Sequence, residues 1–414
     1  MLGLRSAAIA AAAALVASSA AAQENRYGRL YEALWSTVNE NYYDPHFRGA
    51  DWAAQRERYR ARATSAQTDA EFYEAASAML REIPSSHLHI SSPAQSSTGD
   101  ASIGARFTQM GEDLVVAEVA PLSDAYRQGL RAGDRLLSER SALYGDLGTR
   151  ASLRIRTCEG RRRTLDIRRE GAFWPPEHPG FRWRQIRTGR DTRVGYMRID
   201  RFDDGAAGLA DQAMSELSQV DAIIIDVRNN SGGNVSAQRL AAYFNGGRAE
   251  PGVILLARSY LEALGRPVTA ADLAAAPRID GAYTTNAVFA AMSEHNGGAA
   301  FWTEAIENKF TGPVFVLISE ETGSAAEGFA WYMRERTRAR LIGTQTAGAL
   351  LSSESFDLGD GWRVTIPVHG LWGPDGQDYG DRAVPPHEQI APTREDLCAG
   401  RDPVLEAALD QAMR

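Results

Sequence analysis

A serine at the start of a predicted helix is the first feature that could do chemistry. In ISEETGSAAEGFAWYMRE, an apolar strand is expected to end near Ser319, and Ser324 stands just before a helix, flanked by Gly323 and Ala325. A serine there can cap the helix by accepting a hydrogen bond from a free backbone N–H. It can also be a nucleophile, because the helix N-terminus offers positive potential and the N–H of Ala325 can hold an oxyanion. Position alone favours the capping role.

Two consecutive glycines follow a second predicted strand. The stretch AIIIDVRNNSGGN places Gly232 and Gly233 at the strand end, where glycine lets the backbone approach a ligand closely but also suits an ordinary turn. A phosphate-binding loop is disfavoured, because the G-x-G-x-x-G spacing and the loop lysine are both missing. Lys309 is the only lysine of the chain, and Phe310 follows it.

Two histidines form a third patch, in PSSHLHISS. His87 and His89 can be ordinary polar residues on one face of a strand. They can also be two ligands of a metal site, which needs a third ligand that the sequence does not identify. A metal-dependent hydrolase that uses both histidines is therefore kept as a minor alternative.

Three segments must position these residues. Residues 23–95 predict helices: Leu30, Leu34, Trp35 and Val38 have helical spacing, and a second helix begins with Asp69 as its N-cap. Residues 96–170 predict a small β domain, with a strand, a turn, a short helix and a final hairpin. Residues 171–414 alternate strands with helices, which predicts an α/β core.

Composition and the N-terminus limit the class of protein. In 414 residues, 44% are hydrophobic and 24% charged, as in folded multidomain proteins, and the net charge of −8 argues against a nucleic-acid partner. Residues 1–22 read as a signal peptide with cleavage near Ala22, which predicts a secreted or periplasmic bacterial protein without a further membrane span. Cys158 and Cys398 can form a disulfide in that compartment, although their spacing does not establish it.

Taken jointly, the motifs DVRNNSGG, TGSAAEGFAWYM and RLIGTQTAGA occur in the order typical of one family. They resemble the core of the C-terminal processing (tail-specific) serine peptidases, which is related to tricorn protease. The segment GLRAGDRLL resembles part of a PDZ domain. The resemblance implies a multidomain α/β fold with an N-terminal helical domain (23–95), a PDZ-like domain (96–170) and a ClpP/crotonase-like peptidase core (171–414).

The family has two catalytic layouts, and the sequence favours one. Where the first layout has a catalytic lysine, this chain has Ala349, so a Ser–Lys dyad is excluded. The second layout uses a histidine that follows the N-terminal helices, and Ser85-Ser86-His87 fits that motif. The resemblance thus implies Ser324 as nucleophile and His87 as general base. The oxyanion donors are then the N–H of Ala325 and one from Gly232 or Gly233.

The groups that orient the histidine depart from the family pattern. Ser86 fits the serine that stands beside the histidine, but Gly380 occupies the position of the usual glutamate. The nearest acid is Asp381, one place later, with Asp378 as a second candidate. His387 also replaces a family aspartate. A regular strand would point Ser86 and His87 to opposite faces, so both can serve only if the backbone turns there.

These observations predict a secreted serine peptidase that acts on protein or peptide substrates, chiefly unfolded or C-terminal segments. No cofactor and no metal are expected, and the oligomeric state stays open. The alternative is a catalytically inactive peptidase fold that binds peptides as a scaffold. The displaced acid favours that alternative, whereas Ser324, His87 and the glycine pair oppose it.

Overall fold

The computed structural model describes residues 26–93, 102–171, 180–189 and 191–414. The predicted signal peptide lies outside them. The chain divides into two compact units. The first comprises residues up to Ser96 with Leu256–Val268 and Leu351–Leu371, and the second comprises Ser97–Leu255, Thr269–Leu350 and Trp372–Arg414.

The α-helices of the described residues are numbered in chain order. They are α1 (26–41), α2 (Trp52–Thr64), α3 (Asp69–Leu80), α4 (Asp124–Gln128), α5 (Ala206–Glu216), α6 (Ala237–Ala241), α7 (Arg258–Leu264), α8 (Ala270–Ala275), α9 (Thr285–Glu294), α10 (Ala325–Arg336), α11 (Arg394–Ala399) and α12 (Pro403–Ala412). Short 3₁₀ helices cover Phe47–Gly49 and Arg140–Leu143. In this part of the chain no helix is both long enough and apolar enough to span a bilayer.

The β-strands follow the same chain order. They are β1 (His89–Ser91), β2 (Ala105–Met110), β3 (Asp113–Val119), β4 (Arg135–Leu136), β5 (Arg150–Arg156), β6 (Arg162–Arg168), β7 (Phe181–Arg187), β8 (Arg193–Ile199), β9 (Ala222–Asp226), β10 (Glu250–Ala257), β11 (Arg278–Ile279), β12 (Gly298–Thr303), β13 (Val314–Ile318), β14 (Arg340–Gly343), β15 (Ser352–Gly359), β16 (Trp362–Trp372) and β17 (Glu388–Gln389).

The first unit packs helices α1–α3 with an antiparallel set of strands in which β16 lies between β1 and β15. The apolar face predicted for α1 is confirmed at Leu30, Leu34 and Val38, which are buried, whereas Trp35 is half-buried. The cap predicted for α3 was wrong by one residue. Thr68 is the N-cap, since its hydroxyl accepts from the N–H of Glu71, and Asp69 is the first residue of the helix.

A small antiparallel sheet in the second unit has the strand order β2-β3-β4-β5-β6. Helix α4 lies beside β6, and a small apolar core of their side chains holds the sheet together. Only a four-residue 3₁₀ helix, Arg140–Leu143, stands between β4 and β5. The disulfide that the cysteine spacing could not establish is present: Cys158, in the β5–β6 turn, is bonded to Cys398 at the end of α11.

The large sheet of the second unit has the order β17-β14-β13-β9-β8-β7. Strands β8, β9, β13 and β14 run parallel, and β7 closes one edge antiparallel to β8. Strands β9 and β13 are wholly buried because helices α5, α6 and α10 cover one face and α12 covers the other. This confirms the α/β core. The loops that follow β9, β13 and β14 lie at the same edge of the sheet, where ligands bind in such folds.

Candidate active site

Ser324 occupies a strained turn between β13 and α10. Its φ of 50° and ψ of −125° lie in a region that residues other than glycine rarely adopt. A sharp turn of this kind exposes the serine hydroxyl at the N-terminus of the helix that follows. The N–H of Ala325, the first residue of α10, makes no hydrogen bond within the described residues. A backbone donor is therefore available directly beside the serine.

The glycine pair lies against this serine. A Cβ on Gly232 would lie 2.5 Å from the Cβ and 3.0 Å from the Oγ of Ser324, and a Cβ on Gly233 would lie 1.8 Å from the carbonyl oxygen of Phe202. Both glycines have positive φ, 125° and 143°. Two independent constraints therefore require glycine at both positions: the close approach of neighbouring atoms and the backbone conformation.

The two glycine N–H groups are not equivalent. The N–H of Gly232 donates to the Oδ1 of Asn230 at 2.8 Å, within its own loop. The N–H of Gly233 makes no hydrogen bond to any described residue. Asn230, which is fully buried, also accepts a bond from the N–H of Gly323 through its carbonyl oxygen at 3.0 Å. The glycine loop and the serine turn are thus joined directly.

Glu327 is a site residue that the sequence reasoning missed. It is fully buried in the first turn of α10 and accepts four hydrogen bonds. The donors are the hydroxyl of Thr346 and the N–H groups of Gly348 and Ala349, all at 2.6 Å, and the N–H of Ser324 at 3.2 Å. Burial, the largest influence, raises the pKa of Glu327 above its ordinary value, and these four bonds oppose that rise.

Residues 346–350 form a third wall of the site, beside the serine turn and the glycine loop. The carbonyl oxygen of Ala349 accepts a hydrogen bond from the N–H of Ser324 at 2.9 Å, so the position that would carry a lysine in the other family layout contacts the serine backbone. Lys309, the sole lysine, donates instead to the carbonyl oxygen of Gly246 at 3.0 Å. Its amine is used to hold a surface turn.

The segment with Asp381 packs on this third wall. The N–H of Leu350 donates to the carbonyl oxygen of Gly380 at 2.8 Å, and the N–H of Val384 donates to the Oγ1 of Thr346 at 2.7 Å. Asp378 accepts from the N–H of Gly380 at 2.8 Å and so shapes its own turn. The segment that contains Asp381 is therefore hydrogen-bonded to residues 346–350, and Ala349 of those residues contacts the backbone of Ser324.

His87 lies in the first unit, in a turn that precedes β1. Its φ is 59°, and its Nδ1 is 3.2 Å from the Oγ of Ser86. The backbone turns at this position, so neighbouring side chains can face one another, which removes the objection raised by regular strand geometry. His89 lies within β1, and burial lowers its pKa. Across the described ranges, no cluster of three or more His, Cys, Asp or Glu residues could hold a metal ion.

Comparison with known families assigns the part of the chain that contains Ser324. Residues 193–390 match the family model for Peptidase family S41, and this range contains Ser324, both glycines and Asp381. The core is a peptidase family S41 domain. Residues 23–81 match the model for the Tricorn protease C1 domain, which lies ahead of the S41 core as the resemblance implied.

The S41 core also has relatives that extend along most of the chain. The carboxyl-terminal-processing protease of Synechocystis sp. is 25% identical over 406 residues, covering 92% of this chain and 86% of the relative. The structure of photosystem II D1 C-terminal processing protease aligns with a TM-score of 0.57 at 21% identity, covering 90% of this chain and 96% of that chain. Mature CPAF complexed with lactacystin aligns with a TM-score of 0.59 at 13% identity, covering 92% and 97% of the two chains.

These matches confirm the predicted class of protein. The chain is a serine-type peptidase, a hydrolase, whose relatives are carboxyl-terminal-processing proteases, and the structural likenesses support the multidomain α/β fold. The DVR part of the S41 motif has a structural role in this chain. Arg228 forms ion pairs with Asp226 and with Asp402, each at 2.7 Å. Burial acts to raise the pKa of Asp226, but the charge and hydrogen bonds of Arg228 act against it, and the pKa is lowered to about 2.

Proposed function

We propose that this S41 peptidase is a secreted endopeptidase that cleaves protein substrates with Ser324 as nucleophile and His87 as general base. The observation that carries the proposal is the strained turn at Ser324, with the Cα of Gly232 packed against it and an unused N–H on Ala325. A serine hydroxyl is a weak nucleophile at its ordinary pKa and needs a base to take its proton. His87 is our candidate because Ala349 leaves no lysine at the alternative position.

The steps follow from these roles. His87 takes the proton from the Oγ of Ser324 as that oxygen attacks the peptide carbonyl, and it later returns a proton to the leaving amine. Ser86 contacts the Nδ1 of His87 at 3.2 Å and would orient the ring, with Asp381 in the place of the usual glutamate. Such acid–base assistance typically contributes about 10²–10⁴ in rate.

The oxyanion would be held by two backbone donors, the N–H groups of Ala325 and Gly233. Gly232 was an equal candidate in the sequence, but its N–H is already donated to Asn230. Gly232 instead allows the backbone to approach Ser324 without a side chain between them. Each oxyanion donor is worth about 10²–10³ in kcat.

The small sheet is proposed to be a PDZ-like module that guides substrate. A groove of about 1010 Å³ runs between residues 106–111 and the glycine loop, with Asn229 and Ser231 in its lining. The Nη1 of Arg106 donates to the carbonyl oxygen of Asn229 at 3.0 Å and so joins the sheet to the loop. An extended peptide that adds to the β2 edge would be led toward Ser324. The proposed domains remain 23–95, 96–170 and 171–414.

The location is proposed from the leader. Residues 1–22 would direct export and be removed near Ala22, so the enzyme would work in the periplasm or outside the cell. The disulfide between Cys158 and Cys398 agrees with an oxidising compartment.

The inactive scaffold remains the second candidate, because Gly380 and His387 occupy family acid positions. His387 has a structural use: its Nδ1 accepts from the N–H of Leu341 at 2.9 Å. Hydrolysis of casein by the wild type, by Ser324→Ala and by Asp381→Asn separates the two functions. We expect cleavage by the wild type, none by Ser324→Ala and reduced cleavage by Asp381→Asn. Peptide binding without cleavage by a folded wild type would support the scaffold.

A further inference from the structure

The β5–β6 hairpin of the small sheet has one face that is strongly basic. Alternate side chains of both strands, such as Leu153, Ile155 and Ile167, are buried, so the remaining positions point the other way. Five of those eight positions are arginines and one is acidic. This face therefore opposes in sign the net charge of −8 of the whole chain. Its members are Arg150, Ser152, Arg154, Arg156, Arg162, Thr164, Asp166 and Arg168.

The register brings like charges side by side. Arg156 is paired across the sheet with Arg162 on one side and with Arg135 on the other, and Arg150 is paired with Arg168. Like charges directly opposite each other destabilise a sheet. Among the described residues, acidic side chains pair at two of these positions: Asp113 with Arg135 at 2.5 Å, and Asp166 and Asp124 with Arg150 at 2.6 and 4.0 Å. A bound anion would offset the repulsion that remains.

Four of the arginines have no acidic partner in the part of the chain that the structure describes. Within the described residues, no ion pair involves Arg154, Arg156, Arg162 or Arg168. The Nε of Arg156 is buried without a hydrogen-bond partner in this part of the chain. Charged side chains on the edge strand β6 would discourage edge-to-edge pairing, but that does not explain Arg154 and Arg156 on the interior strand β5.

Large exposed hydrophobic side chains gather in the same domain. Leu122 is 65% exposed, Tyr126 45%, Tyr144 62% and Leu147 65%, and these are the exposed large hydrophobics of the described residues. Leu122 also has a φ of 65°, an uncommon conformation for leucine. A strained backbone that presents an apolar side chain to water indicates a binding role.

Contacts place Leu122, Tyr144 and Leu147 at the Arg150–Arg168 end of the hairpin. The guanidinium of Arg127 donates to the carbonyl oxygen of Leu122 and pairs with Glu170 at 3.3 Å. A Cβ on Gly171, the next residue, would lie 3.9 Å from the Cδ1 of Leu147. The Nη2 of Arg169 donates to the carbonyl oxygen of Tyr144 at 2.6 Å. One end of the domain thus combines exposed apolar groups with arginines.

We propose that this surface, the β5–β6 face with Leu122, Tyr144 and Leu147 at its end, docks on a bilayer that contains anionic phospholipid. The planar fork of arginine matches phosphate oxygens, and a row of arginines suits a flat array of headgroups. Leucine and tyrosine side chains enter the boundary between headgroups and acyl chains. An acidic polypeptide would use the arginines but would leave the exposed leucines in water.

Vesicle binding tests the proposal. The processed protein, with the same N-terminus in every sample, is sedimented with phosphatidylcholine vesicles that either contain or lack phosphatidylglycerol. We expect binding only where phosphatidylglycerol is present, and weaker binding at high salt. Each arginine near an anionic surface contributes roughly five-fold in partitioning, so Arg154→Ser/Arg162→Ser/Arg168→Ser should bind on the order of a hundred-fold less. The control Arg62→Ser/Arg81→Ser/Arg338→Ser removes the same charge from exposed sites elsewhere and should bind like the wild type.

A second pair of measurements separates lipid from acidic protein. Tyr144→Ser/Leu147→Ser should weaken vesicle binding without changing binding to soluble poly-glutamate. Equal vesicle binding by the wild type and the triple arginine variant would overturn the proposal, as would binding to poly-glutamate with none to vesicles. Casein hydrolysis without vesicles should be the same in all variants, so failure of membrane docking and failure of the proposed peptidase mechanism are distinguishable.

Discussion

The Cα of Gly232 lies so close to Ser324 that a Cβ on the glycine would be 2.5 Å from the serine Cβ. We predict that Gly232→Ala lowers kcat/KM by about 10²-fold or more, because a misplacement of about 1 Å at a reacting group costs that much. Peptide hydrolysis measures the loss, and circular dichroism establishes that the variant is folded.

Gly208→Ala is the matched control for that substitution. Gly208 is exposed in α5, and a Cβ there would meet no atom within 4 Å. Alanine in a helix interior is favoured over glycine by about 1 kcal/mol, so this variant should be slightly more stable and fully active. Equal activity of both alanine variants would contradict a close-packed serine site.

Glu327→Gln should destabilise the serine turn. In one orientation the amide nitrogen of glutamine would face the N–H groups of Ala349 and Ser324. In the other it would face the N–H of Gly348 and the hydroxyl of Thr346. Each buried donor left without an acceptor costs about 1–3 kcal/mol. We expect a lower urea midpoint and reduced activity, whereas Glu335→Gln, at an exposed position of the same helix, should change neither.

Part of this site could be predicted from the sequence. Ser324, Gly232, Gly233 and Ala325 could be proposed as one site because a strand end, a helix start and a glycine pair leave a local pattern, and the structure places Gly232 against Ser324. Glu327 was not assigned, although an acid three residues after the serine and inside an apolar helix was a visible signal. Its role depends on donors from residues 346–349, and a contact between distant segments leaves no local pattern.

The difference between the two glycines was likewise invisible in the sequence. Asn230 captures the N–H of Gly232 only because the loop folds back on itself. The turn at His87 was foreseen as a requirement, and the structure supplies it through a positive φ. The disulfide pairs cysteines separated by 240 positions, a distance from which no spacing rule predicts a bond. Helix α1 and strands β9 and β13 were predicted because their apolar periodicity is local.

Acid should weaken the fold through His369. Burial lowers the pKa of His369 to about 4, compared with an ordinary value of 6.5. The folded form therefore favours the neutral ring. The contribution of His369 to the free energy of unfolding is fully present above pH 6.5 and is lost as the pH falls toward 4. The loss amounts to about 3 kcal/mol.

Urea unfolding at a series of pH values measures this effect. His369→Gln should flatten the dependence of the free energy of unfolding on pH between 6.5 and 4. His46→Gln, at an exposed position, serves as the control. An unchanged slope in His369→Gln would show that other groups cause the acid sensitivity.

The disulfide should contribute to stability by closing a long loop. Cys158 and Cys398 are 240 positions apart, and cross-links of this kind typically stabilise a protein by about 2–5 kcal/mol. We expect Cys158→Ser/Cys398→Ser to unfold at lower denaturant and to be insensitive to reductant. The wild type should shift to the same midpoint when it is reduced. A wild type whose midpoint ignores reductant would contradict this contribution.

Labelling of the processed protein with a fluorophosphonate probe, followed by mass spectrometry of the modified peptide, tests whether His87 activates Ser324. We predict that the probe modifies Ser324 in the wild type. It should not modify Ser324→Ala, and it should modify His87→Ala far more slowly, because the serine then lacks its base. A folded wild type that stays unlabelled, or full labelling of Ser324 in His87→Ala, would contradict the Ser324–His87 mechanism.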